Sequence, residues 1–195
     1  MRLLGIDTPE KGKSLYSEAQ RACAELVEGR QVEIQTSGGH SKDAYGRTLA
    51  LVTAGGTLVN EDLVARGLAR VYLKDDGEIP GDVEEGLIRA QNSAIDARRG
   101  LWGLRGALET RPGERLRATR YRFHKEACAD VKSLSRQLAP ITREEALRSG
   151  RSPCRNCLPR RRRRRRRISG SNDCSLPSAD RVAMMPRREE YHGSR

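Results

Sequence analysis

The stretch Arg2-Leu3-Leu4-Gly5-Ile6-Asp7-Thr8-Pro9-Glu10 runs a short apolar strand straight into a turn that carries two carboxylates, with an arginine at the strand's start. Proline cannot continue a strand ladder, and Asp and Thr favour turns, so the strand ends at Ile6. Alone, Asp-Thr-Pro-Glu is more often an ordinary turn or helix start than a site. The same cation-and-carboxylate character returns forty residues later in Asp43-Ala44-Tyr45-Gly46-Arg47, again beside a strand.

The segments around these two motifs alternate rapidly between helix and strand. From Ser14 to Gly29, Leu15, Ala19, Ala22, Cys23, Leu26 and Val27 recur at three- and four-residue spacing, which predicts a helix capped by Ser14 or Ser17 and ended by Gly29. Val32 and Ile34 alternate with Gln31, Glu33 and Gln35 as a strand, and Thr36 to Ser41 is a loop that contains His40. Thr48 to Thr53 is a second strand, followed by a hairpin-type turn at Ala54-Gly55-Gly56-Thr57. Leu58 to Gly67 reads as a short helix with Val59, Leu63 and Val64 inward and Asn60 as a candidate cap. Leu68 to Leu73, interrupted by Arg70, is extended, and Asp82 to Gly100 is a longer helix closed by Leu101 and the packing residue Trp102. This alternation predicts an α+β fold ending near Arg105.

Composition bounds what the chain can do. Of 195 residues 36% are hydrophobic, and the aromatic residues are one Trp, five Tyr and one Phe, so the core must come from Leu, Val, Ile and Ala. The length suits one domain with an appendage. Apolar runs stop near five residues, which excludes a helical membrane span and a membrane partner. Collagen-like and mucin-like compositions are excluded as well. Through Arg105 there are 14 Lys and Arg against 16 Asp and Glu, whereas from Gly106 onward there are 24 against 10. The basic signal, and with it the expectation of a nucleic-acid partner, lies in the second half.

The ordered set Arg2, Asp7, Thr8, Glu10, Asp43, Tyr45 and Arg47, with the following Leu49-Ala50-x-Val52, Val59-Asn60 and Gly67-Leu68-Ala69 segments, resembles the staphylococcal nuclease (thermonuclease) family over residues 1–103. The resemblance implies an OB-type barrel of five strands with three helices. It also implies roles. Arg2 and Arg47 are the phosphate-binding arginines and Glu10 the general base. Asp7 and Thr8 are calcium ligands, Thr8 through its carbonyl. Asp43 and Tyr45 flank the second arginine at the substrate. Phosphodiester hydrolysis builds negative charge on the nonbridging oxygens, which a planar, always-charged guanidinium meets with paired hydrogen bonds. A carboxylate within one hydrogen bond of the attacking water can take its proton. In that family two barrel strands precede the segment matching Arg2 and supply a further calcium carboxylate. The reading therefore expects a barrel lacking its first two strands and about 25–40 further residues upstream. The compartment is left open: the chain as written carries no signal peptide and reads as cytoplasmic, and a signal upstream of Met1 would make it exported.

Residues 106–120, with Pro112-Gly113, read as a linker. A second motif follows. His124-x3-Cys128 and, 25 residues on, Cys154-x2-Cys157 gather three of the five cysteines at the spacing of a zinc site, with a chance cluster of thiols or a disulfide as the competing readings. Phe123-His124-x3-Cys128, Ile141-Thr-Arg-Glu-Glu-Ala-Leu147 and Gly150-Arg-x-Pro153-Cys154-x-x-Cys157-x-Pro159 resemble the metal-binding domain of Ada-type DNA repair proteins, with His124 at the first of that family's four cysteine positions. This implies zinc as a structural staple for residues 121–159 and a helix capped by Thr142. Such a module would fold apart from residues 1–103. Cys23 reads as a buried helix residue. Residues 160–195, with eight arginines from Arg160 to Arg167, Cys174 and His192, read as a disordered basic tail that binds phosphates without sequence preference.

The expected protein is a monomeric, calcium-dependent nuclease acting on DNA or RNA, with a zinc module that helps hold nucleic acid. In the family, cleavage at the 5′-oxygen leaves 3′-phosphate ends. The alternative is a non-catalytic nucleic-acid-binding protein built from an incomplete barrel, a zinc module and a basic tail.

Overall fold

The computed structural model describes residues 1–37, 42–43, 45–73, 78–134 and 136–158. His40, the arginine run, Cys174, His192 and the rest of the tail lie outside these described residues.

The opening stretch forms two strands rather than one, Arg2–Leu3 (β1) and Ile6–Asp7 (β2). Gly5 turns the chain between them at φ 74°, where a Cβ would meet the Leu87 side chain at 2.8 Å, so the position requires glycine on both counts. The break sends Leu3 and Asp7 into different sheets. Helix α1 (Tyr16–Val27) follows with Ala19, Ala22, Cys23, Leu26 and Val27 buried, the face its spacing predicts. β3 (Val32–Thr36) and β4 (Leu49–Ala54) pair antiparallel from Val32–Ala54 to Thr36–Ala50. β1 joins β4 in parallel, Arg2 opposite Leu49. Gly55 and Gly56, both at positive φ, turn β4 back into β5 (Thr57–Leu58), the two-residue hairpin the paired glycines predict.

Helix α2 (Val59–Ala65) does not use Asn60 as a cap. That side chain is fully buried. Its oxygen accepts the Val52 N–H at 3.0 Å, and its amide donates to the carbonyls of Leu4 at 2.8 Å and Ala50 at 3.3 Å. β1 stays on β4 as far as the Leu4 N–H, which donates to the Ala50 carbonyl at 2.8 Å; beyond it Asn60 partners the Val52 N–H and the Leu4 carbonyl. β6 (Arg70–Val71) pairs antiparallel with β2, and α3 (Gly81–Asp96) packs against α2. Leu3, Ile6, Leu26, Val52, Leu63 and Leu87 belong to the core these elements enclose.

The segment read as a linker contains a strand. Leu116–Ala118 (β7) sits inside a second four-stranded sheet, pairing with Arg122–Lys125 (β8) on one side and Pro140–Ile141 (β9) on the other; Ser152–Pro153 (β10) adds to β8 in parallel. Three residues, with Leu116 and Ala118 either side of Arg117, are too short a run to mark a strand within a basic, Pro- and Gly-containing segment. Helix α4 (Arg143–Arg148) starts at Thr142 with a complete capping box: Thr142 Oγ1 accepts the Glu145 N–H, and the Glu145 carboxylate accepts the Thr142 N–H at 2.8 Å.

This second part does not stand apart from the first. Leu116, Phe123, Ala146 and Leu147 form one apolar cluster with Ala94, Ile95 and Trp102. Gln91, buried on α3, accepts the Val71 N–H at 2.8 Å and donates to the Leu147 carbonyl. Ser152 Oγ donates to the Val71 carbonyl at 3.2 Å, and Arg148 pairs with Asp96 at 2.7 Å. Among the described residues no helix is long and apolar enough to cross a membrane.

Asn60→Ala takes the side-chain partner from two buried backbone groups, the Val52 N–H and the Leu4 carbonyl, while the Ala50 carbonyl keeps the Leu4 N–H. It should lower unfolding free energy by about 2–4 kcal/mol in urea titrations, at one to three kcal/mol for each unsatisfied buried group with partial relaxation. A loss within 0.5 kcal/mol, the usual range for an uninvolved surface position, would show that water replaces the amide.

Candidate functional site

The parallel β1–β4 pairing places Arg2 against the end of the Arg47 turn: the Arg2 N–H donates to the Thr48 carbonyl at 2.7 Å. That turn is organised by Asp43. One carboxylate oxygen accepts the backbone N–H groups of Tyr45 at 2.9 Å and Arg47 at 3.0 Å, and the other takes the Arg47 Nε at 2.7 Å and Nη2 at 2.6 Å. Gly46, at φ 76°, lets the chain reverse within this clamp. Burial pushes the Asp43 carboxyl up, but the hydrogen bonds from Arg47 and Tyr45 outweigh it and hold the group below its ordinary value. Tyr45 is 84% exposed, with the Arg47 guanidinium 5.4 Å from its ring centre. Asp43 and Tyr45 therefore touch Arg47 directly, one fixing its direction and the other presenting an aromatic face beside it.

Asp7 is buried and sits opposite Arg70 in the β2–β6 register; Asp7 Oδ2 accepts from Arg70 Nε at 3.0 Å and Nη2 at 2.8 Å. Arg70 was missed as a site residue, although it is the one charge interrupting an extended apolar run. Thr8 and Glu10 follow across Pro9, both half-buried, and the Glu10 carbonyl accepts the Lys13 N–H at 2.9 Å. For a calcium ion these residues are right in kind but few in number: one carboxylate with an oxygen already on Arg70, and the Thr8 carbonyl. A cation that takes six to eight oxygens would have to draw the others from water and substrate.

The second constellation is tighter. β8 carries His124, and the β8–β10 register sets Phe123 opposite Pro153, with the Cys154 N–H donating to the Phe123 carbonyl at 2.9 Å. Cys128 and Cys157 close in from the adjoining loops, so that one ligand atom from each of His124, Cys128, Cys154 and Cys157 lies within 4.8 Å of all the others. The Cys128 and Cys154 sulfurs are 3.9 Å apart. Four ligands at zinc–sulfur distance in a tetrahedron stand about 3.8 Å apart, so the spacing fits. His124 Nδ1 is buried with no hydrogen-bond partner among the described residues, a defect that a metal bond removes. Burial keeps His124 neutral and pushes the Cys154 thiol up and Cys157 up to about 12; a divalent cation reverses that preference for the thiols and takes neutral imidazole as it is. The Lys125 N–H already points at Cys157 Sγ, at 3.2 Å. Asp130, not singled out from sequence, accepts from Cys154 Sγ at 3.2 Å and from Asn156 at 2.9 Å.

Residues 1–103, more than half the chain, match the sequence profile of the family described as staphylococcal nuclease homologue. The chain belongs to this family. It is 30% identical over 102 residues to a staphylococcal-like nuclease of Arabidopsis thaliana, covering 52% of this chain and 29% of that protein. It is 28% identical over 102 residues to a probable staphylococcal-like nuclease of Oryza sativa, covering 52% and 28%. A prophage-derived endonuclease of Bacillus subtilis is 40% identical over 77 residues, covering 36% and 26%. The chain thus spans less than a third of the length of these curated relatives.

The staphylococcal nuclease span ends at Gly103, the last residue of a 3-10 turn (Gly100–Gly103) that buries Trp102, so both arginines and the acidic turn fall inside it and the His–Cys cluster falls beyond it. Within the span the Asp43 clamp makes a direct prediction. A carboxyl held low contributes stability above its unfolded value and loses it as pH falls through the folded one. By carboxyl NMR, Asp43 should therefore titrate below 3.8 in the folded chain, and Arg47→Ala should move the midpoint up. A midpoint at or above 3.8 in the unmodified chain would dismiss the clamp.

Proposed function

We propose that this chain is a calcium-dependent phosphodiesterase of the thermonuclease type, an endonuclease acting on DNA or RNA, with a zinc ion held by His124, Cys128, Cys154 and Cys157. The observation that carries the reading is the pairing of β1 with β4, which sets Arg2 against the Asp43-clamped Arg47 turn in a chain that opens on Asp7-Thr8-Pro9-Glu10. An OB-type barrel is the architecture we assign to this part.

In this account Arg2 and Arg47 bind the scissile phosphate and meet the charge that builds on its nonbridging oxygens. Asp43 keeps the Arg47 fork aimed, so little rearrangement is needed when substrate arrives. Glu10 accepts the proton of the attacking water, and Tyr45 contributes a contact to the phosphate. Asp7 and the Thr8 carbonyl would hold calcium, which when bound neutralises and orients the phosphate. Cleavage at the 5′-oxygen leaves a 3′-phosphate, and the arginines from Arg160 to Arg167 add affinity without sequence preference. Zinc in the second site is structural: four protein ligands leave no open position for substrate.

The Asp7–Arg70 pair favours a second reading, a nucleic-acid-binding protein without catalysis, because it occupies an oxygen that a metal would use. Digestion of single-stranded DNA with and without calcium separates the two. The nuclease reading expects calcium-dependent cleavage, a fall in kcat of about 10²–10³ for Glu10→Gln with KM little changed, and a similar fall for Arg47→Lys. Binding without cleavage, or Glu10→Gln at full turnover, would contradict it. Elemental analysis should find one zinc per chain, lost together with cooperative unfolding of residues 116–158 in Cys154→Ser; a folded, metal-free chain would refute the zinc assignment.

A further inference from the structure

Tyr72 follows β6, its N–H donating to the Gly5 carbonyl at 2.8 Å, and its side chain is 7% exposed. Three arginines from three distant parts of the sequence converge on it. Arg2, from β1, has its guanidinium 5.4 Å from the ring centre. Arg155, between the zinc-site cysteines Cys154 and Cys157, has its guanidinium 5.2 Å from the same centre. Arg122, from β8, donates to the Tyr72 hydroxyl at 3.3 Å. Arg122 also feels the charge of the Asp130 carboxylate, whereas Arg155 has no carboxylate partner among the described residues. One aromatic ring offsets the mutual repulsion of such cations only in part, at about 0.5–1 kcal/mol for an exposed cation–π contact. Arg155, exposed and without a carboxylate partner among the described residues, is the member of the cluster open to an anion from outside.

Two of the three cations, Arg122 in β8 and Arg155 in the turn after β10, lie beyond the family match. The distances to the shared ring put the guanidinium carbons of Arg2 and Arg155 at most about 11 Å apart, the limit set by 5.4 and 5.2 Å in line. That is within reach of neighbouring phosphates of one strand. Arg155 is exposed, and it belongs to a loop whose ends are both fixed at the metal cluster.

We infer that Arg155 is a further substrate-binding residue: it holds the phosphate next to the one held by Arg2 on the same nucleic-acid strand, with Tyr72 as the spacer and Arg122 as the residue that positions Tyr72. This rests on the nuclease reading for the role of Arg2. The zinc site then does more than staple a module. It presents a cation to the substrate path, and substrates with more than one phosphate gain from it.

The test uses the full zinc-loaded chain and two short substrates, thymidylyl-(3′,5′)-thymidine with one phosphodiester and the tetranucleotide of thymidine with three. Short substrates keep the arginine run from dominating the response. Arg155→Ala should lower kcat/KM on the tetranucleotide about tenfold through KM, at unchanged kcat, and leave the dinucleotide within twofold, as expected for the loss of one charge-assisted contact. Arg155→Lys should recover to within about threefold, because a point charge suffices at this position. Zinc content and melting temperature should match the unsubstituted chain. Unchanged tetranucleotide kinetics in Arg155→Ala, or an equal loss on both substrates, would overturn the inference. A chain that cleaves neither substrate fails the nuclease reading instead; fluorescence-anisotropy binding of the same tetranucleotide then decides, with about tenfold weakening supporting Arg155 as a phosphate contact and unchanged binding refuting it.

Discussion

Strand β6 is two residues long, and its backbone is completed largely by side chains from elsewhere. Gln91 accepts the Val71 N–H, Ser152 Oγ donates to the Val71 carbonyl, and β2 supplies the pairing on the remaining edge. A buried peptide group left without a partner costs about 1–3 kcal/mol, so the strand exists only while these partners are in place. Much else follows from where it lies. It brings Arg70 to Asp7, sets Tyr72 beside Arg2 and, through the other end of the Gln91 amide, ties α3 to the Leu147 carbonyl of α4.

The second sheet is therefore an extension of the body formed by residues 1–103. A segment of about 40 residues with few large apolar side chains cannot enclose a core of its own. This one borrows Ala94, Ile95 and Trp102 from the first part and gives back Phe123, Ala146 and Leu147. Zinc bound by three thiols that must first be deprotonated and gathered with a neutral imidazole would itself supply folding free energy. With a shared core, that free energy would support the packing of α3 as well as the loops around Cys128 and Cys157.

What could be read from sequence was what has a local pattern. The helical periods of α1 and α3, the Gly55-Gly56 hairpin, the Thr142 N-cap and the spacing of His124, Cys128, Cys154 and Cys157 all sit within a few turns or a recognisable motif. The misses have the opposite character. Gly5 splits one apparent strand in two by turning at φ 74°, where a Cβ would meet Leu87, 82 residues away. Asn60 and Gln91 look like ordinary helix-surface amides, yet both are buried as partners for backbone in other elements. The three residues of β7 are too few to show alternation, and Arg70 announced only that an apolar run was interrupted. Polar groups satisfied across long sequence separations leave no trace in the local sequence, and the junction between the two parts is made of them.

The chain has a single tryptophan, and Trp102 is buried in the cluster that both parts share, which makes it a reporter for the central claim that zinc at the proposed His–Cys site would stabilise the same core as residues 1–103. Tryptophan emission should be followed while a zinc-selective chelator removes the metal from the intact chain. The account predicts that Trp102 emission shifts to the red in step with zinc release and that both recover when zinc is restored. Stoichiometric loss of zinc with the Trp102 spectrum unmoved would contradict it, because the two parts would then be folding independently.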